Sequence, residues 1–428
     1  MHMSIGRALF VAAKRKLCLT QAEAPKESCR TCGYHFSTIS SAGVGTMEGL
    51  LKEHISRRDL LKKGCLLLAY MGLCHGLFNF ARKAWAKMEK LSLREAMFYK
   101  KIGANTVQCG VCFRGCILKE GERSFCRNKK NIDGRLYNLV HSKPSAVQVD
   151  PIEKEPALHM LPGTQILCFG TAGCNFRCKF CHNWHLSQRS IEEMDYTYDL
   201  PPEDAVKIAL DKKIPTLSFT YNEPTSFYEY VYDIARIAKQ KGLRILWHSN
   251  GALNPEPLRA LLKYTDAVTI DLKGFTEEFY QNASSAKLAP VLRTLKIIRE
   301  EGVWLEIVNL HIPTLNDNPQ DVERMCLWIK ENLGKDTPLH FSRFFPAYRL
   351  TNLPPTPIKK LEEAHRIAKK VGLEYVTIGN LPGHKYNSTF CPNCGKKLIH
   401  RIHFQVLSNN IKDGKCGFCE FPIPGIWL

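Results

Sequence analysis

The chain has 428 residues, 18 of them cysteine, and a formal net charge of +19 from 60 Lys and Arg against 41 Asp and Glu. Its 44% hydrophobic and 24% charged residues lie near globular averages, which excludes wholesale disorder. A chain this long buries a core without covalent staples, so the cysteines point to metal or redox chemistry rather than a disulfide scaffold, while the charge selects no single kind of partner.

Residues 1–46 are short of acid, with only Glu23 and Glu27, and show no sustained period. They read as a disordered or non-native leader extension, with Met47 as the working start; Cys29 and Cys32 form one CxxC with no second pair nearby. In residues 47–86, Ser56-Arg57-Arg58 precedes an apolar run from Gly64 to Ala81 and an AWA at 84–86. A basic start, an apolar stretch and a small-residue site make a twin-arginine-type signal, although Leu60 stands where an aromatic is usual. An uncleaved membrane anchor is the alternative, since the run nears the roughly 18–20 residues that span a bilayer. The expectation is export or membrane attachment, with the twin-arginine translocase as partner; a cytoplasmic location is the rival.

Residues 87–160 carry Cys109-x2-Cys112-x3-Cys116-x9-Cys126, a four-cysteine module for zinc or an auxiliary iron–sulfur cluster. In an exported protein this set, like the four cysteines near the C-terminus, could instead form disulfides.

From 161 to 383, β-rich runs at 165–173, 215–221, 244–250, 267–273, 304–312, 339–344 and 374–378 alternate with helical patterns at 203–212, 225–241, 287–301, 319–333 and 357–371. Strand–helix alternation predicts an α/β fold with a parallel sheet, here a partial (β/α)6-type barrel flanked on both sides by small cysteine-rich metal modules. Active-site groups then belong at the C-terminal ends of the strands.

After the first of these strands comes Cys174-Asn-Phe-Arg-Cys178-Lys-Phe-Cys181. Three thiolates on one loop can hold three irons of a [4Fe-4S] cube and leave the fourth open. A zinc site would want a fourth ligand, which His182 or His185 could supply. The CxxxCxxC spacing with Phe180 before the last cysteine resembles the cluster loop of radical S-adenosylmethionine (SAM) enzymes.

That resemblance gives the other strand ends a reading. TYNEP (220–224) is similar to the family's GGEP-like element, so Glu223, beside Asn222, would meet the SAM ammonium; without the glycines, Glu223 could simply cap the next helix. Asn250 in HSNG (248–251) would touch the ribose or amino-acid part, or serve a turn. In DLK, Asp271 and Lys273 share one strand face and would take the ribose hydroxyls and the SAM carboxylate, or pair as rim ions. His340, Arg343 and Tyr348 are candidates for the substrate wall.

Residues 384–428 hold Cys391-Pro-Asn-Cys394 and Cys416-Gly-Phe-Cys419, two knuckles of a zinc-ribbon-like module, with rubredoxin-like iron as runner-up. Cys168 and Cys326 sit in apolar contexts and read as buried packing.

Over 109–427 the chain resembles the radical SAM protein of the AmmeMemoRadiSam system, a branch close to pyruvate formate-lyase activating enzymes. CGVCFRGC, FCRN, DPIEKEPALHMLPG, GTAGCNFRCKFCHNWHLSQ, TYNEPTSFYEY, FSRFFPAYRLTNLPPTP, GNLPG, CPNCG and IPGIW carry it in order. His182, Phe125 and Glu420 depart from the pattern without touching a cluster thiolate. The resemblance implies a [4Fe-4S] cluster that reductively cleaves SAM to a 5′-deoxyadenosyl radical, fed by a low-potential electron donor. The substrate could be a protein, as for an activase that installs a glycyl radical. A zinc-rich binding module is the reading of a different class, but Lys and Arg are spread without a basic block or RNA motif, so no nucleic acid is expected.

Overall fold

The computed structural model describes residues 91–427. The leader extension (1–46) and the twin-arginine-like signal (47–86) lie outside the described residues. No helix among the described residues is long and apolar enough to cross a membrane.

The core is an eight-stranded sheet, β1 (Ala146–Pro151), β2 (Gln165–Gly170), β3 (Thr216–Phe219), β4 (Arg244–Ser249), β5 (Ala267–Asp271), β6 (Trp304–His311), β7 (Leu339–Arg343) and β8 (Val376–Gly379), ordered in space as in sequence. Strands β2 to β8 are all parallel, and β1 pairs antiparallel with β2. The sheet stays open between β1 and β8, so it is a partial barrel with seven parallel strands. Strands covered on both faces read as continuous apolar runs, as TLSF in β3 and AVTID in β5 do.

Among the described residues, seven helices of eight residues or more supply the cover: α1 (Pro202–Asp211), α2 (Tyr228–Gln240), α3 (Pro255–Leu262), α4 (Glu277–Ser284), α5 (Leu288–Glu300), α6 (Pro319–Leu333) and α7 (Ile358–Val371). Their starts follow local chemistry. Proline opens α1, α3 and α6, where a missing N–H costs nothing, and the Asn318 side chain caps α6 by accepting from the Gln320 and Asp321 N–H groups.

Residues 91–140 form two small antiparallel sheets, one of Arg94–Glu95, Arg135–Asn138 and Lys129–Ile132, the other of Tyr99–Gly103, Thr106–Cys109 and Ile117–Leu118. Their buried Val107, Leu118, Leu136 and Val140 belong to the same apolar cluster as the barrel. A buried ion pair joins them to α2: Lys129 Nζ donates to Glu229 Oε1 at 2.5 Å and Oε2 at 2.7 Å, and Asn138 Nδ2 donates to Oε2 at 2.6 Å. The C-terminal stretch makes a three-stranded sheet, Thr389–Phe390, Lys397–Ile402 and Gln405–Asn409, and a short ladder of Ile411–Lys412 with Lys415–Cys416. It docks through an Ile426–Met160 bridge and through Arg401 Nη2, which donates to the Leu158 carbonyl at 2.5 Å.

Candidate active site and cysteine centres

A cavity of about 450 Å³ opens where the parallel strands end. Residues following β3, β4 and β5 line it, as do Val308 of β6, His340 of β7 and Thr377 of β8. All three cysteines of the 174–181 loop stand in its wall.

The loop that carries them is fixed from below. Asn222 Oδ1 accepts from the Thr171 N–H at 3.0 Å, and its Nδ2 donates to the Gly173 carbonyl at 2.7 Å and the Ala172 carbonyl at 3.2 Å. Asn222 therefore positions the cysteine loop, and its amide is committed to backbone. On the other side, the Arg177 and Lys179 N–H groups donate to the Ser284 and Ala283 carbonyls at the end of α4, each at 2.9 Å.

Burial raises the thiols of Cys174, Cys178 and Cys181, Cys178 to about 11, while the Lys273 ammonium opposes the rise at Cys178 and Cys181. Thiols held neutral by burial ionise readily only for an incoming cation. Donors already face the sulfurs: the Phe176 N–H lies 3.3 Å from Cys174 Sγ, and Ser187 Oγ lies 3.2 Å from Cys181 Sγ.

Among the described residues, only one set of three or more Cys, His, Asp or Glu ligand atoms converges within 4.8 Å, and it is not this one. Neither His182 nor His185 closes a single-ion site with the trio. Three thiols spread along a cavity wall suit a cube, in which each thiolate takes its own iron.

Glu223 follows β3 and is buried. Its Oε1 accepts from the Thr225 N–H (3.2 Å), Thr225 Oγ1 (2.9 Å) and Ser249 Oγ (2.8 Å), and its Oε2 from the Asn250 N–H (2.8 Å). It caps the turn at Pro224–Phe227, and Oε2 keeps accepting capacity at the cavity. Burial raises its carboxyl against these donors. Asn250 reaches the cysteine loop through Nδ2, which donates to Asn175 Oδ1 at 2.7 Å.

Asp271 and Lys273 end β5 side by side, with Lys273 Nζ 2.7 Å from Asp271 Oδ2. His248 Nε2 lies 3.1 Å from Asp271 Oδ1 and Nδ1 lies 3.9 Å from Glu155 Oε2. Burial would raise Asp271, but Lys273 and His248 hold it well below the usual carboxylate range. His248 is raised despite burial because Asp271 faces it. The histidine was left without a role by sequence reasoning, since only the fold shows its partner.

His340 lines the cavity with both nitrogens engaged, Nδ1 to Thr377 Oγ1 (2.7 Å) and Nε2 to Glu306 Oε2 (2.8 Å). Arg343 and Tyr348 do not line it, contrary to expectation. Arg343 Nε donates to the Thr356 carbonyl at 2.9 Å, and Tyr348 stacks on Trp184 with ring centroids 5.4 Å apart. The cavity also takes Glu153, Arg401, His403 and Phe404 from the flanking stretches, which no motif announced.

The converging set is Cys391, Cys394, Cys416 and Cys419. Cys391 Sγ lies 3.7 Å from Cys419 Sγ, and Cys394 Sγ lies 3.7 Å from Cys416 Sγ. Four sulfurs about 2.3 Å from one ion form a tetrahedron with edges of about 3.8 Å, so this quartet has single-ion geometry. Cys109, Cys112, Cys116 and Cys126 share a separate small cavity. Cys168 and Cys326 are fully buried, as their apolar contexts indicate.

Residues 169–329 match the family described as the Radical SAM superfamily. An uncharacterised protein of Methanocaldococcus jannaschii is 44% identical over 329 residues, 76% of this chain and 98% of that protein. A pyruvate formate-lyase-activating enzyme of Clostridium pasteurianum is 24% identical over 178 residues, 40% of this chain and 71% of its own. A solved domain of the pyruvate-formate lyase-activating enzyme from Bacteroides vulgatus shares 17% identity and a TM-score of 0.34, covering 38% of this chain and 98% of that domain, too distant a likeness to argue from. Membership implies a [4Fe-4S] cluster and SAM, which the trio and the strand-end cavity fit in donor chemistry. The chain belongs to the radical SAM superfamily.

Proposed function

We propose that the protein is a radical SAM enzyme of the AmmeMemoRadiSam branch that abstracts hydrogen from its substrate. The observation that carries this is one strand-end cavity lined together by the three thiols and by Glu223, Asp271 and Lys273. When bound, the cluster and SAM would supply a 5′-deoxyadenosyl radical. Cys174, Cys178 and Cys181 would hold three irons, on a loop that Asn222 keeps in place. Glu223 Oε2 would accept from the SAM ammonium. Asp271, held ionised by Lys273 and His248, would take ribose hydroxyls, and Lys273 would bind the SAM carboxylate. The enclosing walls exclude water and stray hydrogen donors from the reacting carbon.

Anaerobic turnover with a low-potential reductant tests the reading. Cys178→Ala is expected to abolish 5′-deoxyadenosine formation; undiminished formation by a variant that has lost its cluster overturns it. Activation of a partner protein is a second reading, supported by the likeness to activating enzymes. A glycyl radical signal on that partner would mark it.

We also assign zinc to Cys391, Cys394, Cys416 and Cys419, supported by the 3.7 Å sulfur separations; metal analysis of protein purified in wild-type form checks this. For residues 47–86 the reading is export or membrane attachment, supported by Ser56-Arg57-Arg58 and the apolar run after it. Cell fractionation with N-terminal sequencing tests it.

A further inference from the structure

The function above leaves Cys109, Cys112, Cys116 and Cys126 unused. All four line one small cavity, and all four are free thiols. The site is built from both sides. The Cys109 N–H donates to the Cys116 carbonyl at 2.9 Å, and Ser124 Oγ lies 3.1 Å from Cys126 Sγ. Asn175, from the catalytic loop, is 1% exposed and stands in the same cavity. Its amide faces the Cys112 thiol, where a hydrogen bond favours the thiolate.

The two quartets answer differently to one geometric question. The C-terminal four converge within 4.8 Å, as a single ion requires. Among the described residues, no three of the N-terminal four do so. One zinc ion demands the short tetrahedral edge, whereas a polynuclear cluster assigns each thiolate to its own iron and keeps the sulfurs apart. Two guanidinium groups act on the set, Arg114 on Cys112 and Cys116 and Arg177 on Cys126, while the Lys129 ammonium beside Cys109 is paired with Glu229.

We propose that Cys109, Cys112, Cys116 and Cys126 bind a second iron–sulfur cluster through four thiolates, directly beside the catalytic trio. The two cysteine loops are in contact. Gly173, next to Cys174, has φ +84°, and a Cβ there would run into the Cys126 carbonyl and the Asn128 side chain. Asn128 Nδ2 donates to the Ala172 carbonyl at 2.5 Å, and Arg114 Nε to the Asn175 carbonyl at 3.0 Å. Arg114 and Arg177 each also act on Cys174, so both guanidinium groups serve the two sulfur sets together.

The test is iron and acid-labile sulfide analysis of anaerobically reconstituted full-length protein, with EPR of the reduced form. Wild type is expected to hold more sulfide than one cube supplies, and its EPR signal to be broadened by two neighbouring spins. Sulfide for a single cube that is then lost with the three catalytic cysteines overturns the proposal, because a lone iron or zinc brings none. The combined Cys174→Ala, Cys178→Ala and Cys181→Ala variant is expected to retain sulfide and give an unbroadened cluster signal; a folded but sulfide-free variant speaks against the site. Should that variant not fold, Cys109→Ser with Cys116→Ser is the complement: it should lose the excess sulfide and the broadening, and keeping both overturns the site. The trio variant separates the two readings: if the catalytic reading fails, wild type and that variant hold the same sulfide, whereas if the second site fails the variant holds none.

Discussion

At the residue scale, the site depends on buried charges that answer one another. Asp271 remains ionised inside the protein because Lys273 and His248 outweigh its burial. Asp271→Asn leaves two raised bases without their counter-charge, and is expected to weaken SAM binding about tenfold, roughly 1.4 kcal/mol, in an equilibrium titration. Gly173 is decided by conformation rather than charge. A left-handed backbone costs a residue with a Cβ about 1–2 kcal/mol, and here the added carbon also meets the Cys126 carbonyl. Gly173→Ala is expected to lower the melting temperature and reduce iron loading together. The cysteines, Glu223, Asp271 and Lys273 were legible because each sits at a strand end in a short local pattern. Asn222 was legible as a site residue but not in its task. Its partners, Thr171 to Gly173, lie about fifty positions away, and only the β2–β3 pairing brings them under its amide.

At the scale of elements, the parallel strands and the longer helices announced themselves through apolar runs and helical periodicity. What escaped was short or mixed. Strand β1 has no fully buried residue, so AVQVDP gives no clean signal, and α3 and α4 have eight residues each. The Lys129–Glu229 pair was also invisible, because two charges a hundred positions apart carry no mutual mark in sequence. Burial would raise Glu229, but Lys129 holds it below its usual range. Removing one partner strands the other in the core. Lys129→Met is therefore expected to cost about 3–5 kcal/mol in denaturant unfolding, and pairing it with Glu229→Leu to recover much of that.

At the scale of the whole molecule, Glu306 ties three stretches together. It accepts from the Leu158 and His159 N–H groups at 2.8 Å each, from Trp304 Nε1 at 3.0 Å, and meets His340 Nε2 at 2.8 Å. Burial works against its charge, yet His340 and these donors bring it down to about 2. A depressed carboxylate stabilises fully above its unfolded value of about 4.3, and that stability fades as pH falls toward the folded value. Melting curves between pH 5 and 2 are expected to show a loss of about 3 kcal/mol from this group, and Glu306→Gln to flatten that part of the acid slope. The division of labour between barrel and flanks was only half legible. Spacing marked both cysteine quartets, but nothing in the sequence said that Arg401, His403 and Phe404 would form part of the cavity wall.

That wall bears on how long the enzyme survives in air. Dioxygen destroys exposed iron–sulfur centres, and the hairpin carrying Arg401, His403 and Phe404 supplies part of the wall of the cavity that the three cysteines also line. The same hairpin belongs to the sheet that begins just before Cys391, so its hold depends on the four C-terminal thiols. If the proposed zinc is bound there, stripping it with a chelator should therefore shorten the aerobic half-life of the catalytic cluster, followed by bleaching of its visible absorbance. A distant structural ion would then act as a shield against oxygen, although it takes no part in the chemistry.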